Sequence, residues 1–412
     1  MMDSAKPADR GNLVDHGLEL FGAVRQRVLH VGKFYPPHMG GIETHLQALC
    51  EDLGKHLDIK VVVANDTRKF TEELRDNVTV TRVPTWLTFA STPICPGMIA
   101  QIRTSNPAII HIHLPNPMAV LAYLISGHRG ILVITYHSDT VRQRVLGALF
   151  NTFLHRALRR SAAIIATSPD YRRSSQTLAP YMDRCVVIPY GIELDHFVQA
   201  DPERVAALRN QFGDRVVISV GRLVYYKGFE YLIRAMTQVE GRLLIVGDGP
   251  LRGKLEQLTR ELRLDQKVIF AGEIQNREIV PYYHAAKVFA LASVARSEAF
   301  GIVQIEAMAA GLPVVNTSLD SGVPFVSLHE QTGLTVPPRN PGALAGAINR
   351  LLNDANLRGK LGEAARSRAQ QEFSLNVMTS RTLSLYSKVM HSRPYEQPNP
   401  HNVEIPAAST RS

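Results

Sequence analysis

The sequence has few cysteines, no long apolar run and none of the common nucleotide-binding fingerprints. Its three cysteines among 412 residues, Cys50, Cys95 and Cys185, are far apart and outside any C-x-x-C pair. That spacing argues against a disulfide framework or a structural zinc and indicates a reducing compartment. No stretch approaches the roughly 18–20 apolar residues needed to cross a bilayer. Residues 1–16, MMDSAKPADRGNLVDH, lack the apolar core of a secretory signal. The expectation is a cytoplasmic protein. Neither G-x-x-x-x-G-K-[ST] nor G-x-G-x-x-G occurs, so ATPase and dinucleotide oxidoreductase readings lose their main support.

What is present is a normal globular composition with a formal charge of +9. Residues 142–173 concentrate seven arginines against one aspartate. Val145, Leu146, Leu149, Phe150 and Phe153 fall among these arginines at helical spacing, the pattern of a basic amphipathic helix able to meet an anionic membrane surface. A solvated helix face is the plainer alternative. No nucleic-acid module or aromatic-interleaved basic sheet accompanies the charge, and no nucleic-acid partner is expected.

Short β-branched runs alternate with helical patterns from about residue 26 to 375. RVLHVG, IKVVVAN, VTVTRVP, AIIHIH, ILVITYH, AAIIAT and CVVIPYG fall in the first half. VVISVG, RLLIVGDG, VIFAGE, VFALAS, PVVNT and GLTVP fall in the second. Continuous apolar strands between amphipathic helices predict parallel sheets covered on both faces. Length favours two domains. The expected division is a flexible N-terminus (1–24), an N-terminal domain (25–195), a linker (196–213), a C-terminal domain (214–375), a C-terminal helix (376–392) and a disordered tail (393–412). Both domains read as doubly wound and Rossmann-like, with a cleft between the carboxyl ends of their strands.

Four βα junctions carry polar or glycine-rich loops. Gly40 and Gly41 precede a helix after the first strand, where backbone N–H groups could approach an anion. Arg222 and Lys227 bracket the loop of SVGRLVYYKGFEYL. Two cations at a helix N-terminus oppose the dipole, which makes sense if a multiply charged anion binds between them. Gly247 and Gly249 sit in VGDGP on the same edge, a turn that structure alone could explain. In SEAFGIVQIEAMAAGLPVV, Glu298 lies in a loop and Glu306 about one turn inside a helix starting near Phe300–Gly301. Carboxylates can grip vicinal hydroxyls with both oxygens, so this pair suits a ligand with two polyols.

R-L-V-Y-Y-K-G, V-G-D-G-P and the two-glutamate stretch, in this order, resemble retaining glycosyltransferases of family 4, which have the GT-B fold. G-G-I-E-T-H and T-Y-H-S add N-terminal matches, and the likeness covers about residues 26–390. It implies that Arg222 and Lys227 hold a donor diphosphate, Glu298 the sugar hydroxyls and Glu306 the ribose. Backbone around Phe300, Gly301, Ile302 and Val303 would approach sugar and phosphates. Gly40 and Gly41 would complete the site, and Ile274 would border the base. His137, which alone reads as a buried histidine at a strand end, matches an active-site histidine contacting the transferred sugar. The C-terminal helix would pack back on the N-terminal domain.

The resemblance makes a nucleoside-diphosphate sugar (GDP or UDP) the donor. No D-x-D motif occurs, and cations with helix N-termini can stabilise the leaving group, so neither a metal nor another cofactor is expected. The apolar loop expected to carry Trp86, Leu87 and Phe89, with the basic helix, points to a lipid-linked or oligosaccharide acceptor at an anionic membrane, peripheral on the inner face of the plasma membrane. The pattern looks most like bacterial mannosyl- and rhamnosyltransferases of polysaccharide synthesis. A nucleotide-sugar epimerase of the same fold and a catalytically silent binding subunit remain as alternatives.

Overall fold

The computed structural model describes residues 25–38, 40–89, 92–138, 144–275 and 277–392, with the side chains of 144–149 outside that description. The expected flexible N-terminus and disordered tail lie outside it. The first domain contains strands β1 (Arg27–Val31), β2 (Asp58–Ala64), β3 (Thr71–Arg75), β4 (Val78–Val83), β5 (Leu87–Phe89), β6 (Thr92–Ile94), β7 (Ile109–Leu114), β8 (Ile131–Tyr136), β9 (Ala163–Ala166) and β10 (Cys185–Val187). Eight form one sheet, ordered β10-β9-β8-β7-β1-β2-β4-β3, while β5 and β6 form a separate hairpin. The second domain contributes β11 (Val216–Val220), β12 (Arg242–Val246), β13 (Val268–Gly272), β14 (Val288–Ala290), β15 (Val314–Thr317) and β16 (Gly333–Val336). They form a six-stranded parallel sheet in the order β13-β12-β11-β14-β15-β16.

The first sheet departs from the all-parallel expectation at one edge. Strand β3, TEELR, runs antiparallel to β4. Asp76 and Asn77 join them with positive φ (45° and 65°), the backbone a tight hairpin demands. Its charged, exposed composition carries no apolar alternation, and such composition discourages further pairing at a sheet edge.

Alternation along the strands divides the first core in two. Leu29, Val31, Ile110, Ile112, Leu132 and Ile134 pack with Leu154, Ala157 and Leu158 of the helix Arg144–Arg160. Val28, Val61, Ile109 and Val133 face the other way, towards Leu46, Leu49 and Leu53 of the helix Gly41–Leu53. Met378, Leu385 and Val389 of the C-terminal helix Leu375–His391 complete that second core. The C-terminal helix therefore returns to the N-terminal domain, as expected.

The expected linker at 196–213 is largely a helix, Pro202–Phe212. Asp201 caps it by accepting from the Glu203 N–H at 3.0 Å, Pro202 occupies the first turn, and Gly213 ends it at φ 85°. Asp201-Pro202 and Gly213 are the start and stop of this helix. Arg209 Nη2 donates to the His284 carbonyl at 2.9 Å, fastening the helix to the second domain. The chain crosses between domains twice. The crossings meet where the Ile192 N–H donates to the Phe373 carbonyl (3.0 Å) and the Leu375 N–H to the Ile192 carbonyl (2.9 Å).

Candidate active site

The loops that follow β13, β12, β11 and β14 are neighbours because those strands are adjacent. Ile274, Gly247, Gly249, Arg222, Lys227 and Glu298 therefore share one edge of the second sheet. After β11 the chain turns at Gly221 (φ 145°), makes a 3₁₀ turn over Tyr225–Lys227, and enters the helix Phe229–Ala235 through Gly228 (φ 67°). A Cβ on Gly228 would stand 2.0 Å from the Ala292 carbonyl, so only glycine suits that turn. Lys227 consequently folds back beneath Gly221 and reaches Glu298.

Lys227 Nζ and Glu298 Oε2 are 2.6 Å apart, with side chains only 11% and 9% exposed. The Ser293 hydroxyl also donates to Glu298 Oε2, at 3.3 Å. Burying two charges is costly unless each is paired, and these two satisfy each other where the loops converge. Glu306 lies in the first turn of the helix Val303–Ala309 and accepts from the Tyr283 hydroxyl at 2.7 Å. Burial pushes the Glu306 carboxyl above its ordinary pKa, while the Tyr283 hydrogen bond and the Lys227 charge act in the opposite direction. Arg222 is exposed at the mouth of this loop.

One expectation changes. The helix after Glu298 begins at Val303 rather than at Phe300–Gly301, because Gly301 takes φ 76° and that conformation interrupts a right-handed helix. Phe300 is 2% exposed, and its ring packs edge-on against Tyr190 at 4.9 Å, so its side chain belongs to the core. Gly247 and Gly249 are also accounted for locally. Cβ atoms there would meet the Gly221 carbonyl at 2.2 Å and the Leu223 backbone at 2.7 Å. Ile274 packs at the rim of the second core.

From the other domain, Gly40 and Gly41 begin the helix Gly41–Leu53, and a Cβ on Gly41 would lie 3.9 Å from Ile302 Cδ1. The two halves of the expected site therefore approach each other across the cleft. His137 is 1% exposed. Its Nδ1 lies 2.6 Å from the Tyr190 hydroxyl and its Nε2 3.1 Å from His113 Nδ1, so both ring nitrogens are engaged. To touch a sugar, it must exchange one of these partners. Sequence reasoning passed over His45, whose ring lies tilted against Tyr190 (4.6 Å) and edge-on to His137 (5.1 Å). It is 7% exposed and neither of its ring nitrogens has a hydrogen-bond partner. The signal was its position one turn into the helix that Gly40 and Gly41 open.

A family model described as Glycosyltransferase Family 4 matches residues 39–196, and one described as Glycosyl transferases group 1 matches residues 202–368. O-antigen chain mannosyltransferase C of Escherichia coli is 30% identical over 89% of this chain and 100% of its own. The chain belongs to the family 4 glycosyltransferases. D-rhamnosyltransferase WbpZ of Pseudomonas aeruginosa is 31% identical to this glycosyltransferase, over 84% of its chain and 92% of the relative. Among solved structures, sucrose-phosphate synthase from Thermosynechococcus elongatus superposes with a TM-score of 0.76 at 25% identity, covering 90% of this chain and 100% of that one. The two-domain GT-B architecture expected from the sequence is thus shared with a solved member of the fold. No helix among the described residues is long and apolar enough to cross a membrane.

Proposed function

We propose that this glycosyltransferase moves a hexose, mannose or rhamnose, from a GDP- or UDP-sugar to a hydroxyl of a lipid-linked glycan. The observation that carries the reading is the buried Lys227–Glu298 pair at 2.6 Å. It offers a cation for a departing diphosphate and a carboxylate for sugar hydroxyls, with the ribose candidate Glu306 on the following helix. The names of the two relatives support the choice of sugar.

In this reading the sugar C1–oxygen bond to the β-phosphate breaks while the acceptor oxygen bonds to C1 from the same face. The acceptor proton passes to the departing phosphate oxygen, and the same-face attack retains the anomeric configuration. Lys227 and Arg222 stabilise the nucleoside diphosphate as its charge grows, so the reaction needs no metal ion. Glu298 is held by Lys227 and Ser293 and serves as a grip, not as a nucleophile.

The acceptor reading draws on the first domain. Trp86, Leu87 and Phe89 on the hairpin are 62%, 56% and 55% exposed, and Arg156, Arg159 and Arg160 are exposed on the basic helix. The helix Pro117–Ser126 touches both the hairpin and the basic helix. The helix is not a free amphipathic one, since Leu154, Ala157 and Leu158 are buried in the core. Val145, Leu146 and Leu149 lie outside the described side chains. The apolar part of a membrane surface is therefore the hairpin together with Phe153, which is 41% exposed on the basic helix, and the arginines supply attraction to anionic headgroups.

The deciding experiment is turnover across GDP-mannose, GDP-rhamnose and UDP-sugars, with and without a polyprenyl-diphosphate glycan, in EDTA. Acceptor-dependent release of GDP or UDP in EDTA is expected. Sugar epimerisation without acceptor, or activity lost in EDTA and restored by Mg²⁺, would sink the reading.

A further inference from the structure

Two adjacent strands of the first sheet, β1 and β7, and the position just past the end of β8 carry histidines in a face otherwise made mainly of valine and isoleucine. Side chains alternate along β1, β7 and β8, so His30, His111, His113, Thr135 and His137 emerge beneath the helices Gly41–Leu53 and Leu375–His391. His30 pairs in register with His111, and His113 with Thr135. All five are at most 2% exposed.

Their polar atoms form one chain. From the Tyr190 hydroxyl it runs 2.6 Å to His137 Nδ1, then 3.1 Å from His137 Nε2 to His113 Nδ1. It continues 3.0 Å from His113 Nε2 to His30 Nδ1 and 3.2 Å from His30 Nε2 to the Tyr386 hydroxyl. Tyr386 then meets His111 Nδ1 at 2.6 Å, and His111 Nε2 meets Thr135 Oγ1 at 2.6 Å. A neutral imidazole has one donor and one acceptor nitrogen. A ring that accepts at Nδ1 must donate from Nε2, so the direction of one link dictates the next. A cationic ring donates at both nitrogens and would break the series. Burial opposes that state, holding His30 at a pKa of about 3 and His111, His113 and His137 well below their ordinary value.

We propose that this array is a one-directional hydrogen-bond wire that sets which nitrogen of His137 carries its proton, with His113, His30 and Tyr386 as positioning residues. It rests on the reading of His137 as a sugar-facing side chain. The Tyr190 phenol oxygen, its lone pair delocalised into the ring, is a poorer acceptor than the aliphatic Thr135 hydroxyl, which makes Tyr190 the donating end. The protons therefore point from Tyr190 towards Thr135, leaving every ring as the Nε2–H tautomer and His137 Nδ1 as an acceptor. A sugar hydroxyl that replaces Tyr190 meets a lone pair. Thr135 is 2% exposed, so the wire ends inside the sheet and holds a tautomer without carrying protons to solvent. Tyr386 belongs to the C-terminal helix, which places the return of that helix three hydrogen bonds from His137.

Zinc is the competing occupant. His30, His111 and His113, and likewise His45, His113 and His137, hold nitrogens within 4.8 Å of one another. A tetrahedral zinc with bonds of 2.0–2.1 Å sets its nitrogens about 3.3 Å apart around a shared centre. Here the nitrogens of His30, His113 and His137 point at each other, and an ion would have to break those bonds.

The test is ¹⁵N–¹H correlation of the full chain with labelled histidine. The wild type should show His137 as a single Nε2–H tautomer from pH 8 to 6. In Tyr386→Phe the His30 N–H loses its acceptor, and in Thr135→Val the His111 N–H does, so each change favours reversal of the wire. Either variant should show mixed or Nδ1–H His137, with kcat reduced about five- to tenfold and donor KM within twofold; the second serves if the first folds poorly. An unchanged His137 tautomer in both folded variants overturns the wire. So do stoichiometric zinc in the purified protein and imidazole signals that move on its removal. Titration with GDP and UDP checks the donor reading separately: failure to bind either would sink that reading and leave the tautomer result standing.

Discussion

The two domains use the same parallel-sheet scaffold but fill its polar end in opposite ways. In the second domain charge is buried, with Lys227 against Glu298 and Glu306 beside Tyr283. In the first, polarity is buried without charge, in histidines linked to Tyr190, Tyr386 and Thr135. The difference matches the two halves of the proposed reaction. A diphosphate needs full countercharge as it leaves, whereas a sugar or acceptor hydroxyl needs only a correctly oriented donor or acceptor. It also predicts different vulnerabilities.

The largest effect should be acid sensitivity of the first domain. His30 and His45 are pushed down to about 3 by burial, and His111, His113 and His137 also lie well below 6.5. Cys50 lies beside Tyr386, and Glu43 acts on Tyr190. Unfolding lets each ring take up a proton below its unfolded pKa near 6.5. Stability is therefore full above about pH 6.5 and falls towards pH 3, by up to about 1.4 kcal/mol per pH unit for each ring. Five rings set a ceiling of roughly 7 kcal/mol per unit. Tm measured from pH 7.5 to 5 should drop steeply, and His113→Gln should lessen the slope. A flat Tm would erase the contrast between the domains.

Next comes the charged pair. Lys227→Met should lower turnover about 10²–10³-fold, equivalent to about 3–4 kcal/mol, and destabilise the fold by leaving Glu298 unpaired. Adding Glu298→Gln should recover much of the Tm without recovering activity. If the double variant regains turnover, the pair is structural and the donor assignment fails. Replacing Arg156, Arg159 and Arg160 with Ala should weaken binding to anionic vesicles by about 3 kcal/mol at low salt, at about 1 kcal/mol per arginine. Equal binding before and after, measured by sedimentation, would remove the arginines from the membrane surface. The smallest change expected is Tyr283→Phe. Losing its hydrogen bond to Glu306 should cost about 1–2 kcal/mol, read as a donor KM raised roughly tenfold with kcat little altered.

Much of the architecture was legible locally. Strands such as IIHIHL and VVISV announce themselves by apolar density, and the buried-sheet reading follows from it. TEELR gave no such signal, because an edge strand is specified by its partner β4 and by the Asp76–Asn77 turn. Residues 202–212 carried helix punctuation that also reads as loop punctuation, and only packing of Val205 and Phe212 distinguishes the two. Trp86, Leu87 and Phe89, read as a loop, form a hairpin with one strand exposed. The histidines were visible as H-x-H in β7 and as isolated residues in β1 and just after β8, yet nothing in one strand tells which residues of another lie beside it.

By itself the amino-acid order determined the buried strands, the two-domain plan and the glycine-dependent turns, since periodicity and backbone freedom act over a few residues. Tertiary structure alone decided that Lys227 meets Glu298 and that three histidines join Tyr190 to Tyr386. Hydrogen bonds and ion pairs act over about 3 Å, and only the register of strands and the return of the C-terminal helix bring such distant parts of the chain that close.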